Sequence, residues 1–198
     1  MANWLTLSRI PLLGVVLVLL YLPSETSRFI AVPLVLILIL LDTVDGFVAR
    51  TRGETSLLGS VLDIAVDRMV EYVLWVFFAY LRLISLVIPV LVLMRGTFVD
   101  AVRSVAPAHG VKPFDMMRTK VSRFLVRSPF MRTSYAAAKL LAFVLLALLH
   151  ALLTVEHPLA DTVALPARAI AWIALLFCLA RGIPVLLEAP AALREFEE

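Results

Sequence analysis

Four aspartates stand close together in the first third of the chain, within stretches that are otherwise apolar. Asp42 and Asp45 are three residues apart, and Asp63 and Asp67 are four residues apart. Either spacing puts both carboxylates of a pair on one face of a helix. If a short connection lets the two pairs meet, four ionised carboxylates in a low dielectric must take up protons or bind cations. Because all the ligands are oxygens, the cluster favours Mg²⁺, Mn²⁺ or Ca²⁺ over Zn²⁺.

Small and basic residues flank these aspartates. Gly46 and Gly59 would let a ligand or the opposite helix approach, and Arg50 could hold a phosphate. Glu71, one turn past Arg68, is expected to pair with it, and its alternative role is contact with a sugar hydroxyl. The aspartates could instead form ion pairs with Arg50 and Arg68 or only line a water-filled vestibule. A further interpretation is a proton or cation pathway. Such a pathway usually places its acids near the middle of the bilayer, whereas these acids stand toward the inner ends of their helices.

The elements that position these residues are predicted to be membrane helices. Of 198 residues, 62% are hydrophobic and 17% are charged, and the mean hydropathy is +1.00, far more apolar than a soluble domain. We therefore predict an all-α integral membrane protein, a single domain over residues 1–198 with six spanning helices. The predicted spans are Trp4–Pro23, Phe29–Leu41, Leu57–Leu81, Leu83–Val105, Ala136–Val155 and Val163–Leu187.

The connections and the charges orient these helices. We expect an outer turn at Pro23–Ser27, an inner turn at Thr51–Glu54 and a short amphipathic helix over Phe114–Val126. Most Lys and Arg fall in segments that are internal if the N-terminus is cytoplasmic. Both termini and the carboxylates are therefore predicted on the cytoplasmic side of a bacterial-type inner membrane. The formal net charge of +3 then reflects topology and contact with anionic lipid, and we expect no nucleic-acid partner.

The single cysteine, Cys178, lies in the last predicted span. One cysteine excludes an intrachain disulfide framework. It is expected to pack as a small hydrophobic residue.

The residues around the aspartates also resemble a known family. They reproduce the signature D-x2-D-G-x2-A-R-x8-G-x3-D-x3-D of the CDP-alcohol phosphotransferases in this order: Asp42, Asp45, Gly46, Ala49, Arg50, Gly59, Asp63 and Asp67. The first residues, Asn3 to Pro11, are similar to those of bacterial members that make phosphatidylglycerol phosphate or cardiolipin. The chain is therefore identified as a member of that family, nearest to the phosphatidylglycerol-phosphate synthase-like branch.

The resemblance implies phospholipid biosynthesis. A phosphatidyl group would pass from CDP-diacylglycerol, or from another CDP-alcohol, to a small alcohol with release of CMP. Asp42, Asp45 and Asp63 would hold one or two Mg²⁺ or Mn²⁺ ions. Asp67, also a candidate metal ligand, would be the general base, or a neighbouring metal could leave it mainly a ligand. The residues implied for nucleotide and donor binding are Asp42, Gly46, Ala49, Arg50 and Gly59. A homodimer in contact with membrane lipid is expected by analogy with the family.

Basic residues in the second half of the chain bear on the acceptor alcohol. Arg95 and Arg103 on the fourth predicted helix, with Arg132 and Lys139 on the fifth, suit an acceptor that itself carries a phosphate. Glycerol 3-phosphate is the first candidate. Inositol phosphate is the alternative, because Arg68 after the last aspartate resembles members that use it. The same cations could instead be anchors that reach lipid headgroups.

Two further readings of the whole chain stay open. One is the same chemistry with a soluble CDP-alcohol donor and a lipid acceptor. The other belongs to a different class of protein, a non-enzymatic membrane transporter or lipid-binding protein with an acidic cation site. Metal-dependent release of CMP separates this last reading from an enzyme.

Overall fold

A computed structural model describes the backbone of residues 2–52, 57–108 and 119–194, and the regular structure in these ranges is entirely α-helical. The described helices are α1 (Ala2–Tyr21), α2 (Glu25–Arg52), α3 (Leu57–Tyr80), α4 (Val87–Ala108), α5 (Lys120–Arg127), α6 (Pro129–Thr154) and α7 (Leu159–Arg194). The predicted all-α class is confirmed. Within the helices, the description does not extend to the side chains of residues 2, 3, 5, 43–52, 57, 58, 60, 103–108 and 189–194.

Helix α2 differs most from the prediction, because it extends beyond Phe29–Leu41 at both ends. At its start, the Ser24 hydroxyl oxygen accepts a hydrogen bond from the backbone N–H of Ser27 at 3.5 Å, as a helix cap does. Residues 25–27 are therefore helical and the predicted outer turn is shorter than expected. At its end, no proline occurs between Leu41 and Arg52, and the helix continues through the first part of the signature, Asp42 to Arg50, as far as Arg52. Residues 51 and 52 of the predicted inner turn are thus helical, and residues 53–54 lie outside the described ranges.

The short helix α5 is fixed at its start and along its side. The Thr119 hydroxyl oxygen accepts a hydrogen bond from the backbone N–H of Ser122 at 3.1 Å. The side-chain hydroxyls of Thr119 and Ser122 both donate hydrogen bonds to Glu188 of α7. Helix α5 runs to Arg127, and residues 114–118 of the predicted helix lie outside the described ranges.

Helix α6 begins at Pro129, well before the predicted Ala136. Proline suits the first position of a helix, where its missing N–H has no intrahelical partner. The polar residues that follow Pro129 are therefore part of the helix, although their composition resembles that of a loop.

The chain forms two compact units. Unit 1 comprises residues 1–85 and 140–169, and unit 2 comprises residues 86–139 and 170–198. In unit 1, α1 packs against α2 and α3, and the buried rings of Trp75 and Phe143 lie with their centroids 4.5 Å apart. Cys178 is buried in unit 2, as predicted. The four aspartates belong to unit 1, and the residues predicted for the acceptor belong to unit 2.

Two helical segments in the described ranges are long and apolar enough to cross a membrane. They are Pro129–Thr154 and Leu159–Glu188, with mean hydropathies of 2.3 and 2.2. Thr6–Tyr21 is apolar but shorter. The two long segments coincide with the fifth and sixth predicted spans, and the other four spans stay predictions.

Candidate functional site

One arginine of α1 joins an aspartate of α2 to an aspartate of α3. The Nη1 atom of Arg9 lies 2.7 Å from Oδ1 of Asp42, and Nη2 of Arg9 lies 3.9 Å from Oδ1 of Asp67. The first contact is a short charge-assisted hydrogen bond. One member of each predicted carboxylate pair is therefore brought to the same guanidinium group.

These three side chains differ in exposure. The exposed fraction is 1% for Arg9, 37% for Asp42 and 33% for Asp67. Asp63, one helical turn before Asp67, is of intermediate exposure, and the side chain of Asp45 is outside the described set. The guanidinium group is therefore covered by the helices, while both carboxylates that it contacts remain accessible from outside.

The carboxylates have the chemistry that a hard divalent cation requires. Mg²⁺ and Mn²⁺ prefer oxygen ligands, and exposed carboxylates leave room for water and substrate phosphates to complete the coordination. Among the described side chains, no three groups of the kind that bind metals come together as a set. The predicted set includes Asp45, which is not among them. The donor atoms present on Asp42, Asp63 and Asp67 fit the predicted ions.

The remaining residues predicted for the donor are only partly described. Gly59 lies near the start of α3 with intermediate exposure. Gly46, Ala49 and Arg50 lie on the helical backbone of α2, and their side chains are outside the description.

The predicted ion pair after the last aspartate is confirmed. The Nη1 atom of Arg68 is 3.7 Å from Oε2 of Glu71, which is almost completely buried. This contact gives Glu71 a partner of opposite charge inside the helix packing, as a buried carboxylate requires.

A second group of charged residues in unit 2, the basic group, lies close to Tyr135 or to Arg181. The Cζ atom of Arg181 and the Nζ atom of Lys139 each lie 5.7 Å from the centroid of the Tyr135 ring, within the range of a cation–π interaction. Arg95 and Arg132 are close enough to Arg181 for the like charges to repel one another. The group unites three of the predicted acceptor residues with Arg181. The side chain of the fourth, Arg103, is outside the description.

Arg181 is not among the residues predicted above, although its position in the sequence indicates a functional role. A charged residue within the apolar stretch Val163–Leu187 is a functional candidate by the same reasoning that selected the aspartates. The buried Nε atoms of Arg95 and Arg181 have no hydrogen-bond partner within the described residues. Since guanidinium groups stay protonated, cations gathered in this way are suited to binding an anion such as phosphate.

Close packing holds Arg95 in its position. A Cβ atom added at Gly182 would lie 2.4 Å from Cγ and 2.5 Å from Nε of Arg95. These distances are too short for real contacts. Arg95 is buried, with only 7% of its surface exposed, so it has little room to move aside. Gly182 therefore provides the space that the stem of Arg95 occupies.

We expect Gly182→Ala to force Arg95 to move and to destabilise the protein by about 1–3 kcal/mol, as overpacking typically does. Gly14→Ala is the matched control, because a Cβ at Gly14 meets nothing within 4 Å. In a helix interior that exchange stabilises by roughly 0.5–1 kcal/mol. Thermal unfolding of both variants in the same detergent measures the difference. A Gly182→Ala midpoint as high as that of the control would contradict the close packing of Arg95.

Comparison with known families gives a match. The model of a family described as CDP-alcohol phosphatidyltransferase matches residues 1–180. The matched range includes the four aspartates, Arg9 and the predicted acceptor residues, and it ends just before Arg181. No curated protein matches the chain significantly.

Proposed function

Because the chain belongs to the CDP-alcohol phosphatidyltransferase family, we propose that it transfers a phosphatidyl group from CDP-diacylglycerol to a small phosphorylated alcohol. The family consists of membrane-embedded transferases for substituted phosphate groups in phospholipid biosynthesis, and the chain is one of them. The observation that carries the finer proposal is the contact of Arg9 with both Asp42 and Asp67. It gathers accessible carboxylates from two helices of the family signature.

The proposed residues for one or two Mg²⁺ or Mn²⁺ ions are Asp42, Asp45, Asp63 and Asp67. Bound there, such ions would neutralise charge on the diphosphate of the donor and on the leaving CMP. The oxygen donors and the exposure of Asp42 and Asp67 support this proposal.

Asp67 is the proposed general base. Its carboxylate takes the proton of the acceptor hydroxyl while that oxygen forms a bond to the phosphorus attached to the lipid alcohol. The bond from this phosphorus to the oxygen of CMP breaks, and CMP leaves with the electron pair. One third of the Asp67 side chain is exposed, so that a hydroxyl group can reach it. Gly46 and Ala49 allow the cytidine to approach the backbone of α2, and Arg50 contacts phosphate.

The acceptor is proposed to be glycerol 3-phosphate, with inositol phosphate as the alternative. Arg95, Arg132 and Lys139 are proposed to recognise its phosphate, together with Arg181, and Arg103 remains a further proposed residue. The support is the repulsion of Arg181 by Arg95 and Arg132 and the approach of Lys139 and Arg181 to the same Tyr135 ring. A dianionic phosphate would relieve this repulsion through charge-assisted hydrogen bonds.

The proposed topology retains six spans, with both termini and the carboxylates at the cytoplasmic face of the inner membrane. The two long apolar segments Pro129–Thr154 and Leu159–Glu188 support it. The distribution of basic residues in the sequence adds to this support. We also propose that the protein is a homodimer.

The decisive experiment measures CMP release by the purified protein from CDP-diacylglycerol with Mg²⁺ or Mn²⁺. The acceptors are glycerol 3-phosphate, inositol phosphate, inositol, serine and none, and a chelator provides the metal-free control. We expect release that requires both metal and one phosphorylated acceptor. Release with serine or inositol instead would contradict the proposed acceptor class.

A further arm pairs a soluble CDP-alcohol with a lipid acceptor. CMP release only in this arm would reverse the proposed roles of donor and acceptor. Failure of release in every arm, by protein that is folded, would favour a transporter or a lipid-binding protein over an enzyme.

A further inference from the structure

Arg9 has no role in the reaction proposed above, yet it makes the closest described contact with the carboxylates. It is one of the largest fully buried side chains, with 1% of its surface exposed. Its guanidinium group reaches Asp42 on α2 and Asp67 on α3 from α1, which packs against both helices. A buried cation of this kind is held only where its partners offset the cost of removing it from water.

Arg9 contacts the two carboxylates from their covered side and leaves another side of each accessible. Both contacts of Arg9 go to Oδ1, and both carboxylates are about one-third exposed. The guanidinium group therefore approaches from the covered side, and each carboxylate keeps an accessible side on which further ligands can bind. Carboxylates that bind metals are commonly oriented by such a hydrogen-bonding partner behind them.

Arg9 brings a positive charge to Asp42 and Asp67, acids on two different helices. Its planar fork also fixes the direction of the oxygens that it contacts, which a lysine does less well.

We propose that Arg9 is a positioning residue that holds Asp42 and Asp67 in the arrangement required for divalent cations, and that it stays in place when they bind. The inference rests on the proposed function, in which these two carboxylates are metal ligands. If Arg9 instead competed with the metal for these carboxylates, its guanidinium group would have to be displaced when the metal binds. Removal of Arg9 would then strengthen metal binding. A residue that only held the helices together would differ again, because its loss would change stability without changing the affinity of folded protein for metal.

Mn²⁺ binding by the purified full chain, without nucleotide, distinguishes these roles. Electron paramagnetic resonance measures free Mn²⁺, and thermal unfolding measures stability in the same detergent. The variants are Arg9→Met, which keeps an unbranched apolar stem, and Arg9→Lys, which keeps the charge but loses the fork. Arg168→Met is the matched control, because its Nε donates to the carbonyl oxygen of Leu83 at 3.2 Å in the same unit.

We expect Arg9→Met to weaken Mn²⁺ binding by roughly 10–100-fold, the loss typical of an outer partner of a metal ligand. Arg9→Lys should show a smaller loss, and Arg168→Met should bind as the unchanged protein does. If Arg9→Met does not fold, the same comparison is made with Arg9→Lys alone. Unchanged or tighter Mn²⁺ binding by a folded Arg9 variant would overturn the positioning role. Absence of Mn²⁺ binding by the unchanged protein would instead overturn the proposed metal site, and the inference with it.

Discussion

Asp67→Asn is expected to lower the rate of CMP release by roughly 10²–10⁴-fold, the contribution typical of general acid–base catalysis. Asparagine has nearly the same shape as aspartate, but its amide cannot accept a proton from the acceptor hydroxyl. Asparagine keeps the side-chain oxygen Oδ1, which can still serve as a metal ligand and as the partner of Arg9 at 3.9 Å. Binding of the CDP-linked donor should therefore be largely preserved.

Two measurements on the same protein preparation test this expectation. Single-turnover CMP release gives the chemical rate, and isothermal titration with CDP-diacylglycerol in the presence of Mn²⁺ gives the donor affinity. Asp161→Asn is the control, because it removes an exposed carboxylate from the first turn of α7. Undiminished release by Asp67→Asn would exclude Asp67 as the base. Loss of donor binding in parallel with release would make Asp67 mainly a ligand.

Asp42→Asn should weaken metal binding and donor binding together. The substitution removes a proposed ligand and the charge that partners the buried guanidinium group of Arg9 at 2.7 Å. We expect metal affinity to fall by more than the roughly 10–100-fold that the loss of an outer partner costs. Stability should also fall, because asparagine can still accept a hydrogen bond from Arg9 but no longer offsets its buried charge. The exposure of Asp42 limits this second effect, since water can replace part of the lost interaction.

The Mn²⁺ dependence of CMP release separates Asp42→Asn from Asp67→Asn. Release by Asp42→Asn should recover in part when Mn²⁺ is raised, because weak binding can be offset by concentration. Release by Asp67→Asn should not recover, because saturation with metal does not restore a base. The reverse pattern would exchange the roles that we propose for the two aspartates.

The shared helix faces of the aspartates can be predicted from the sequence because their signal is local. Spacings of three and four residues determine a shared helix face wherever the chain is helical, and α2 and α3 are helical at these positions. The role of Arg9 could not be predicted in this way. Its partners are far along the chain, and the contact depends on the packing of α1 against α2 and α3. A basic residue near the N-terminus looks like an ordinary interfacial anchor until that packing is known.

The helix boundaries are also only partly predictable from the sequence. Apolar composition ends the second predicted span at Leu41, although backbone hydrogen bonding carries α2 to Arg52. The start of α6 at Pro129 had a local signal in the proline itself. The polar composition of the residues after it outweighed that signal in the prediction.

The sequence indicates part of the basic group. Arg95, Arg132 and Lys139 are predicted from the sequence because cations on the fourth and fifth helices suit an acceptor that carries a phosphate. Arg181 lies inside an apolar segment, and its relation to Tyr135 follows from the packing of α6 and α7. The space at Gly182 that admits Arg95 is likewise a property of packed helices. Neither contact leaves a pattern in the spacing of residues.

Because Cys178 is buried, the rate at which its thiol is alkylated can report local opening of unit 2. Its thiol is 1% exposed on α7, one turn before Gly182, and it is the only thiol in the chain. A polar alkylating reagent can reach it only when the surrounding helices open. When reclosing is faster than alkylation, the labelling rate follows the equilibrium population of that open state. The natural sequence thus carries a reporter of local opening beside the basic group, and its use requires no engineered label.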